Sequence, residues 1–165
     1  MTNTTTPGRT TAVAQTRPLC TFTLDDCTFG IEVMNVQEVI RYQEMTSVPL
    51  ASPMVRGLIN LRGQIVTAID MRARLGLPPR PNGELPMNVV VRTADGVVSL
   101  LVDEIGDVVE VDERSYERAP ETMALAFREL VPGVYKLEAS LLLLLDAEQI
   151  AALGPAAGRA KDEAA

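Results

Sequence analysis

The side chains in this sequence with the most capacity for chemistry are carboxylates, and no histidine accompanies them. Asp70 ends an apolar run, and Asp103 opens an acidic stretch with Glu104, Asp107, Glu110, Asp112 and Glu113. Acid–base work would need two such groups brought together in environments that split their pKa values. The lack of histidine removes the commonest neutral-pH base and metal ligand, and with it serine–histidine and cysteine–histidine nucleophiles. The acidic stretch lacks the glycine-bearing, fixed-spacing loop of an EF-hand, so it reads as outward positions on strands and a turn. No metal and no cofactor is expected. The tripeptide Ala119-Pro120-Glu121 matches a protein-kinase signature, but no glycine-rich loop, H-R-D or D-F-G stands beside it. Asn3 heads a formal glycosylation acceptor that a cytosolic tail would leave unused.

The chain has two cysteines, Cys20 and Cys27. A hairpin turning at Asp25-Asp26 sets Cys20 opposite Ile31, Phe22 opposite Phe29, and Leu24 opposite Cys27. The sulfurs are then too far out of register to bridge. Cys20, Phe22, Leu24, Cys27, Phe29 and Ile31 share one face, and Thr21, Thr23, Thr28 and Glu32 share the other. Both cysteines read as small buried residues.

These residues need a scaffold. A length of 165 residues suits one domain, and 47% apolar content is enough for a core. The net charge of −7 would repel a phosphate backbone. Three Phe, three Tyr and no Trp offer a poor stacking platform for RNA. The longest apolar run, Leu141–Leu145, is far short of the ~20 residues of a bilayer span and reads as one buried strand pairing with the segment around Tyr135 and Leu137. The N-terminus has no apolar region of a secretory signal, so a cytoplasmic protein is expected.

Residues 1–16 read as a flexible tail, 17–153 as the folded domain, and 154–165 as a second tail. Strand-like runs are expected over 19–24, 28–33, 38–42, 57–61, 64–70, 87–94, 97–103, 107–111, 133–138 and 141–146. Asp95-Gly96 predicts a type I′ hairpin, and its valine-rich flanks are apolar on both faces, as in strands covered on both sides or inside a closed barrel. Asp70 and Gly76 bracket a short helix, Asp146 caps another, and a weakly amphipathic third falls within 112–130. The fold class is therefore all-β, a sandwich or small barrels, with the Pro-rich loop 78–86 between two strand-rich halves. Arg62-Gly63 interrupts two apolar strands, and a type I turn ending in a left-handed glycine would pair Asn60 with Gln64 and Ile59 with Ile65. Arg62 then sits at a hairpin tip and Arg56 at the other end of the same strand, where solvated arginines also keep strand ends from sticking.

Taken in order, "VQEVIRY", "VRGLINLRGQIV", "AIDMRARLGL", "LLVDEIGDVVEV" and "ERAPE" resemble the CheW family of chemotaxis coupling proteins over nearly all of 17–153. Met71 stands where leucine is more usual. The resemblance implies two interlocked five-stranded SH3-like β-barrels sharing a hydrophobic core, with a few short helices including one at the C-terminus. It implies a non-enzymatic adaptor that couples chemoreceptors (methyl-accepting chemotaxis proteins) to the regulatory domain of the histidine kinase CheA, recruited to membrane-associated receptor arrays that include further copies of the coupler. The short tails are expected to leave no room for a fused kinase or receiver domain.

The family's surfaces carry over by position. The receptor groove between the barrels maps to Val33, Glu38, Val39, Arg62, Met87 and Ser99, with Val108 nearby. The kinase-facing end maps to Val36, Arg56 and Gly57. An array contact maps to Glu121, and Thr122 follows it where some members carry a bulky aromatic. Each of the valines also suits simple core packing. The alternative function is an all-β sensing or catalytic domain using Asp70 and Asp103.

Overall fold

A computed structural model describes residues 15–152. The predicted tail residues before 15 and after 152, and the Gly154 exit of the last helix, lie outside the described residues. Among the described residues, eleven strands form two sheets. They are β1 (Thr16–Leu24), β2 (Cys27–Glu32), β3 (Val36–Ile40), β4 (Val55–Leu61), β5 (Gln64–Asp70), β6 (Met87–Thr93), β7 (Gly96–Val102), β8 (Glu104–Asp112), β9 (Tyr116–Arg118), β10 (Gly133–Lys136) and β11 (Leu141–Leu144). Two short helices, α1 (Met71–Arg74) and α2 (Leu125–Leu130), interrupt them, and a further helical segment covers 147–152. β1 starts at Thr16, which pairs with Asp112, so the fold reaches one residue into the predicted tail.

The first sheet has the order β8-β1-β2-β11-β10-β9. Its two edge strands, β8 and β9, are consecutive in the chain and joined only by the 3-10 turn Glu113–Ser115. The sheet must therefore curl until its edges approach. Val111 of β8 and Tyr135 of β10 accordingly share one buried cluster with Leu19, Leu142 and Leu144. The second sheet has the order β3-β6-β7-β5-β4 and curls in the same way. Ile40 of β3 packs against the buried cluster that holds Ile59 and Leu61 of β4. A bridge between Thr46 and Leu58 covers the β4 edge, which would otherwise expose unpaired backbone groups.

Between the barrels lies a larger core that joins Phe22, Phe29 and Ile31 of the first sheet to Ile69, Val89, Val91 and Leu100 of the second. This explains strands that are apolar on both faces. In β6, Val89 and Val91 face the shared core and Val90 faces its own barrel. In β11, Leu143 faces the shared core, and Leu142 and Leu144 face the first barrel. The barrels interlock because the chain leaves the first sheet after β2, builds the second, and returns at β8. The first sheet is six-stranded rather than five because it gains β9, a three-residue strand.

Local readings fare unevenly. The β1–β2 hairpin has the expected register, with Cys20 opposite Ile31 and Phe22 opposite Phe29, and both cysteines are free. The β4–β5 hairpin is one residue tighter than expected. Asn60 pairs with Ile65 and Leu61 with Gln64, leaving a two-residue turn. Arg62 at φ 52° and Gly63 at φ 90° both occupy the left-handed region, the signature of a primed turn that matches strand twist. The Asn60 side chain stabilises it by accepting from the Gly63 N–H at 2.8 Å. Conversely, the β6–β7 turn is not type I′ at Asp95-Gly96. Its central residues are Ala94 and Asp95, and Gly96, at φ 128°, pairs with Thr93. Within 112–130 only Leu125–Leu130 is α-helical, since Tyr116–Arg118 joins the first sheet instead.

Candidate functional site

Arg62 is raised on the primed β4–β5 turn, with 77% of its side chain exposed. Across the barrel opening it donates two hydrogen bonds to the Glu38 carboxylate of β3, both 2.8 Å long. A planar guanidinium facing a carboxylate in this fork geometry is directional as well as attractive. The hydrogen bond from Arg62 outweighs slight burial and holds the Glu38 carboxyl below its usual range. Glu38 in turn pushes the guanidinium pKa up. The pair is formed by strands at opposite ends of the sheet order, so only the closed barrel brings it together.

Apolar residues lie on the neighbouring strands. Val33, Val36, Val39 and Met87 are half-buried, with one side of each packed against the shared core. Val33 opens the 3-10 turn between β2 and β3, and Met87 begins β6 opposite Val102. Val108 lies on β8 of the other sheet, opposite Cys20, and is 61% exposed. Ser99 is different. It is 0% exposed and donates to Asn88 Oδ1 at 2.7 Å, so it cannot be a contact side chain and instead supports β6 from below. Its side chain does not line the surface of the groove.

At the start of β4, Arg56 donates to Asp70 Oδ2 at 3.4 Å. The other Asp70 oxygen caps α1 by accepting from the N–H groups of Arg72 and Ala73. A cleft of about 270 Å³ opens here, lined by Tyr42, Arg56, Asp70, Arg80 and the loop around Glu84. Gly57 has a steric reason to be glycine, because a Cβ there would lie 2.7 Å from the Thr46 carbonyl oxygen. Glu121 and Thr122 stand exposed on the turn before α2, which is anchored by half-buried Met123.

One constellation was not legible as a unit. Asp103, the junction between β7 and β8, accepts from Arg72 Nε at 3.0 Å and Nη2 at 2.6 Å. It also accepts from Arg80 Nε at 3.2 Å and Nη2 at 3.0 Å, and from the Asp25 N–H at 2.8 Å. Burial pushes its pKa up, but the bonds from Arg72, Asp25 and Arg80 together overcome this and hold the carboxyl below its usual value. The available signal was a carboxylate ending an apolar strand, a position that calls for a cation. A cleft of about 510 Å³ beside it is lined by Asp25, Asp26, Arg72, Glu84 and Glu104. The two carboxylates singled out for catalysis are thus both engaged, Asp70 as a helix cap and Asp103 between two guanidiniums. A depressed pKa also makes Asp103 a poor base. Among the described residues, no group of three or more Cys, Asp or Glu side chains is arranged to hold a metal, and no helix is long and apolar enough to cross a membrane.

Comparison with known proteins gives one answer. The CheW-like domain family matches residues 18–153. The chemotaxis protein CheW of Bacillus subtilis is 33% identical over 122 residues, covering 74% of this chain and 78% of the relative. The chemotaxis protein CheW of Rhizobium meliloti is 29% identical over 134 residues, covering 81% and 86%. In three dimensions the chain is similar to the scaffolding protein TtCheW of Thermoanaerobacter tengcongensis. The TM-score is 0.74 at 25% identity, over 80% of this chain and 90% of that one.

Proposed function

The chain belongs to the CheW-like domain family and serves as a chemotaxis coupling scaffold; we propose that it does so without chemistry of its own, by docking a chemoreceptor at one surface and the histidine kinase CheA at another. The receptor surface is the groove flanked by Val33, Glu38, Val39, Arg62, Met87 and Val108. It takes the cytoplasmic tip of a receptor helical hairpin, whose apolar side chains lie along the half-buried valines and methionine. The kinase regulatory domain docks on the end of the second barrel that carries Val36, Arg56 and Gly57. Glu121 and Thr122 form a further array contact. The domain spanning 17–153 acts in the cytoplasm, at receptor arrays.

The observation that carries this reading is the bidentate Glu38–Arg62 pair, its guanidinium exposed and its carboxylate half-buried, bordered by half-buried apolar residues. With the guanidinium largely in water the pair adds little to stability, so its directionality is better suited to choosing a partner, where a misplaced charge is penalised. The test is a titration with a soluble receptor cytoplasmic fragment and, separately, with a CheA regulatory domain. Reversing Glu38→Arg or Arg62→Glu is expected to weaken receptor binding about tenfold, while the melting curve and kinase-domain affinity change little. Full receptor binding by both single reversals would remove the groove from this assignment.

A further inference from the structure

The two barrels are joined by an apolar core, which resists separation but is not directional. Orientation needs directional contacts; the Glu148 carboxylate supplies one by accepting from the Ala94 N–H, and the densest cluster of them lies at the sheet junction. Asp103 lies where the chain passes from the second sheet to the first, between Val102 and Glu104. Its five incoming hydrogen bonds arrive from three separate places: Arg72 on α1 after β5, Arg80 on the Pro-rich loop, and the backbone of Asp25 at the β1–β2 turn. The second sheet and the first are therefore tied through one carboxylate, and the Asp103 N–H adds a bond to Thr23 of β1 at 3.0 Å. Arg72 is anchored further by donating to the Pro78 carbonyl at 2.7 Å. The three side chains are nearly buried, with 8–14% of each exposed, so solvent screens their attraction weakly.

Two groove residues lie on strands that run into this cluster. Met87 pairs with Val102, the residue before Asp103. Val108 rides on β8, whose departure from the second sheet begins at Asp103. Turning the chain at Asp103 thus moves one side of the groove relative to the other.

We propose that Asp103, clasped by Arg72 and Arg80, sets the angle between the barrels and hence the width of the groove, and is a positioning residue for helical-hairpin capture. The effect on capture rests on the docking reading above, whereas the effect on barrel angle does not. The test uses the full chain with Cys20→Ala and Cys27→Ala, spin labels at exposed Gln64 and Glu110, and double electron–electron resonance distances. Asp103→Asn keeps the shape and removes the charge. It is expected to broaden and shift the inter-barrel distance distribution, to lower receptor-fragment affinity about tenfold, and to lower kinase-domain affinity less than about threefold. Arg80→Gln, which leaves Arg72 in place, should move distance and receptor affinity in the same direction by less, and it carries the test if Asp103→Asn does not fold. Distances unchanged in the variants overturn the proposal, as does receptor affinity within about twofold of the parent once the distances have moved. If the parent chain itself fails to bind receptor, the docking reading falls, and the distance distribution alone decides the clasp.

Discussion

Gly57→Ala isolates the cost of a single methyl group. Gly57 has no φ in the left-handed region, so alanine meets no dihedral objection there. The obstacle is steric. The new Cβ would lie 2.7 Å from the Thr46 carbonyl oxygen and 3.1 Å from the Met45 Cβ. Ordinary C···O approach is about 3.3 Å, so the segment must retreat by roughly 0.5 Å. That same segment makes the bridge closing the β4 edge, with Thr46 N–H donating to Leu58 O at 2.9 Å and Leu58 N–H to Thr46 O at 2.8 Å. A retreat of this size carries both bonds toward the limit of useful geometry. Overpacking costs about 1–3 kcal/mol, and weakening two bonds adds up to about 1 kcal/mol. Against this, alanine restricts the unfolded chain and returns about 0.5–1 kcal/mol. The net loss is about 1–3 kcal/mol, or a melting temperature lower by roughly 3–10 °C for a domain of this size. Circular-dichroism melts of Gly57→Ala and Gly63→Ala make the measurement, because Gly63 has open space around its Cβ but a φ of 90°. Asparagine at Gly63 should recover part of the alanine loss, whereas at Gly57 it should not. A Gly57→Ala protein that melts within about 1 °C of the parent refutes the steric argument. If such a protein has also lost kinase-domain binding, Gly57 is a contact residue rather than a backbone spacer.

Asp70→Ala should destabilise the domain by about 1 kcal/mol through loss of the α1 cap, and it should free Arg56, both readable from chemical denaturation alongside Asp70→Asn. Acid titration should expose the Asp103 clasp. Its folded pKa lies below the unfolded value, so the folded state binds that proton less well; stability from this group is complete above the ordinary carboxylate range and is lost as pH falls through the folded pKa. Denaturation midpoints should therefore fall less steeply with acid in Asp103→Asn than in the parent, and parallel curves would contradict the clasp. Phe29→Ala should cost about 3–5 kcal/mol, because Phe29 is fully buried and sits between the rings of Phe22 and Phe127, each 6.0 Å away. A denaturation midpoint near that of the parent would show that the shared core tolerates the cavity.

Legibility followed the range of the interaction. The β1–β2 hairpin could be read residue by residue, because its alternation is strict and a slip would turn Phe22 and Phe29 outward. The short helix after Asp70 was equally readable, since a cap and a left-handed Gly76 are local signals. The Arg62-Gly63 turn was placed correctly and typed incorrectly: both turn types accept Arg-Gly, and the choice rests on the twist of the flanking strands and on the Asn60 side chain. Segment 112–130 misled because its pattern is weak, and β9 is held by pairing with distant Gly133 and Tyr135 rather than by its own propensity.

By itself the sequence determined an all-β chain, the strands apolar on both faces, the charged tip at Arg62 and the family likeness, because alternation, turn chemistry and motif order are written in near neighbours. The tertiary structure alone decided the forked geometry of the Glu38–Arg62 pair, that Ser99 is buried, and that Asp103 gathers Arg72 and Arg80. Those residues are separated by 23–31 positions in the ion pairs; Glu38 meets Arg62 because the curled sheet closes, and Arg72 meets Asp103 because β5 pairs in parallel with β7, Asp70 opposite Leu101. Sheet closure is a property of the whole set of strand pairings, and no short window of residues contains it.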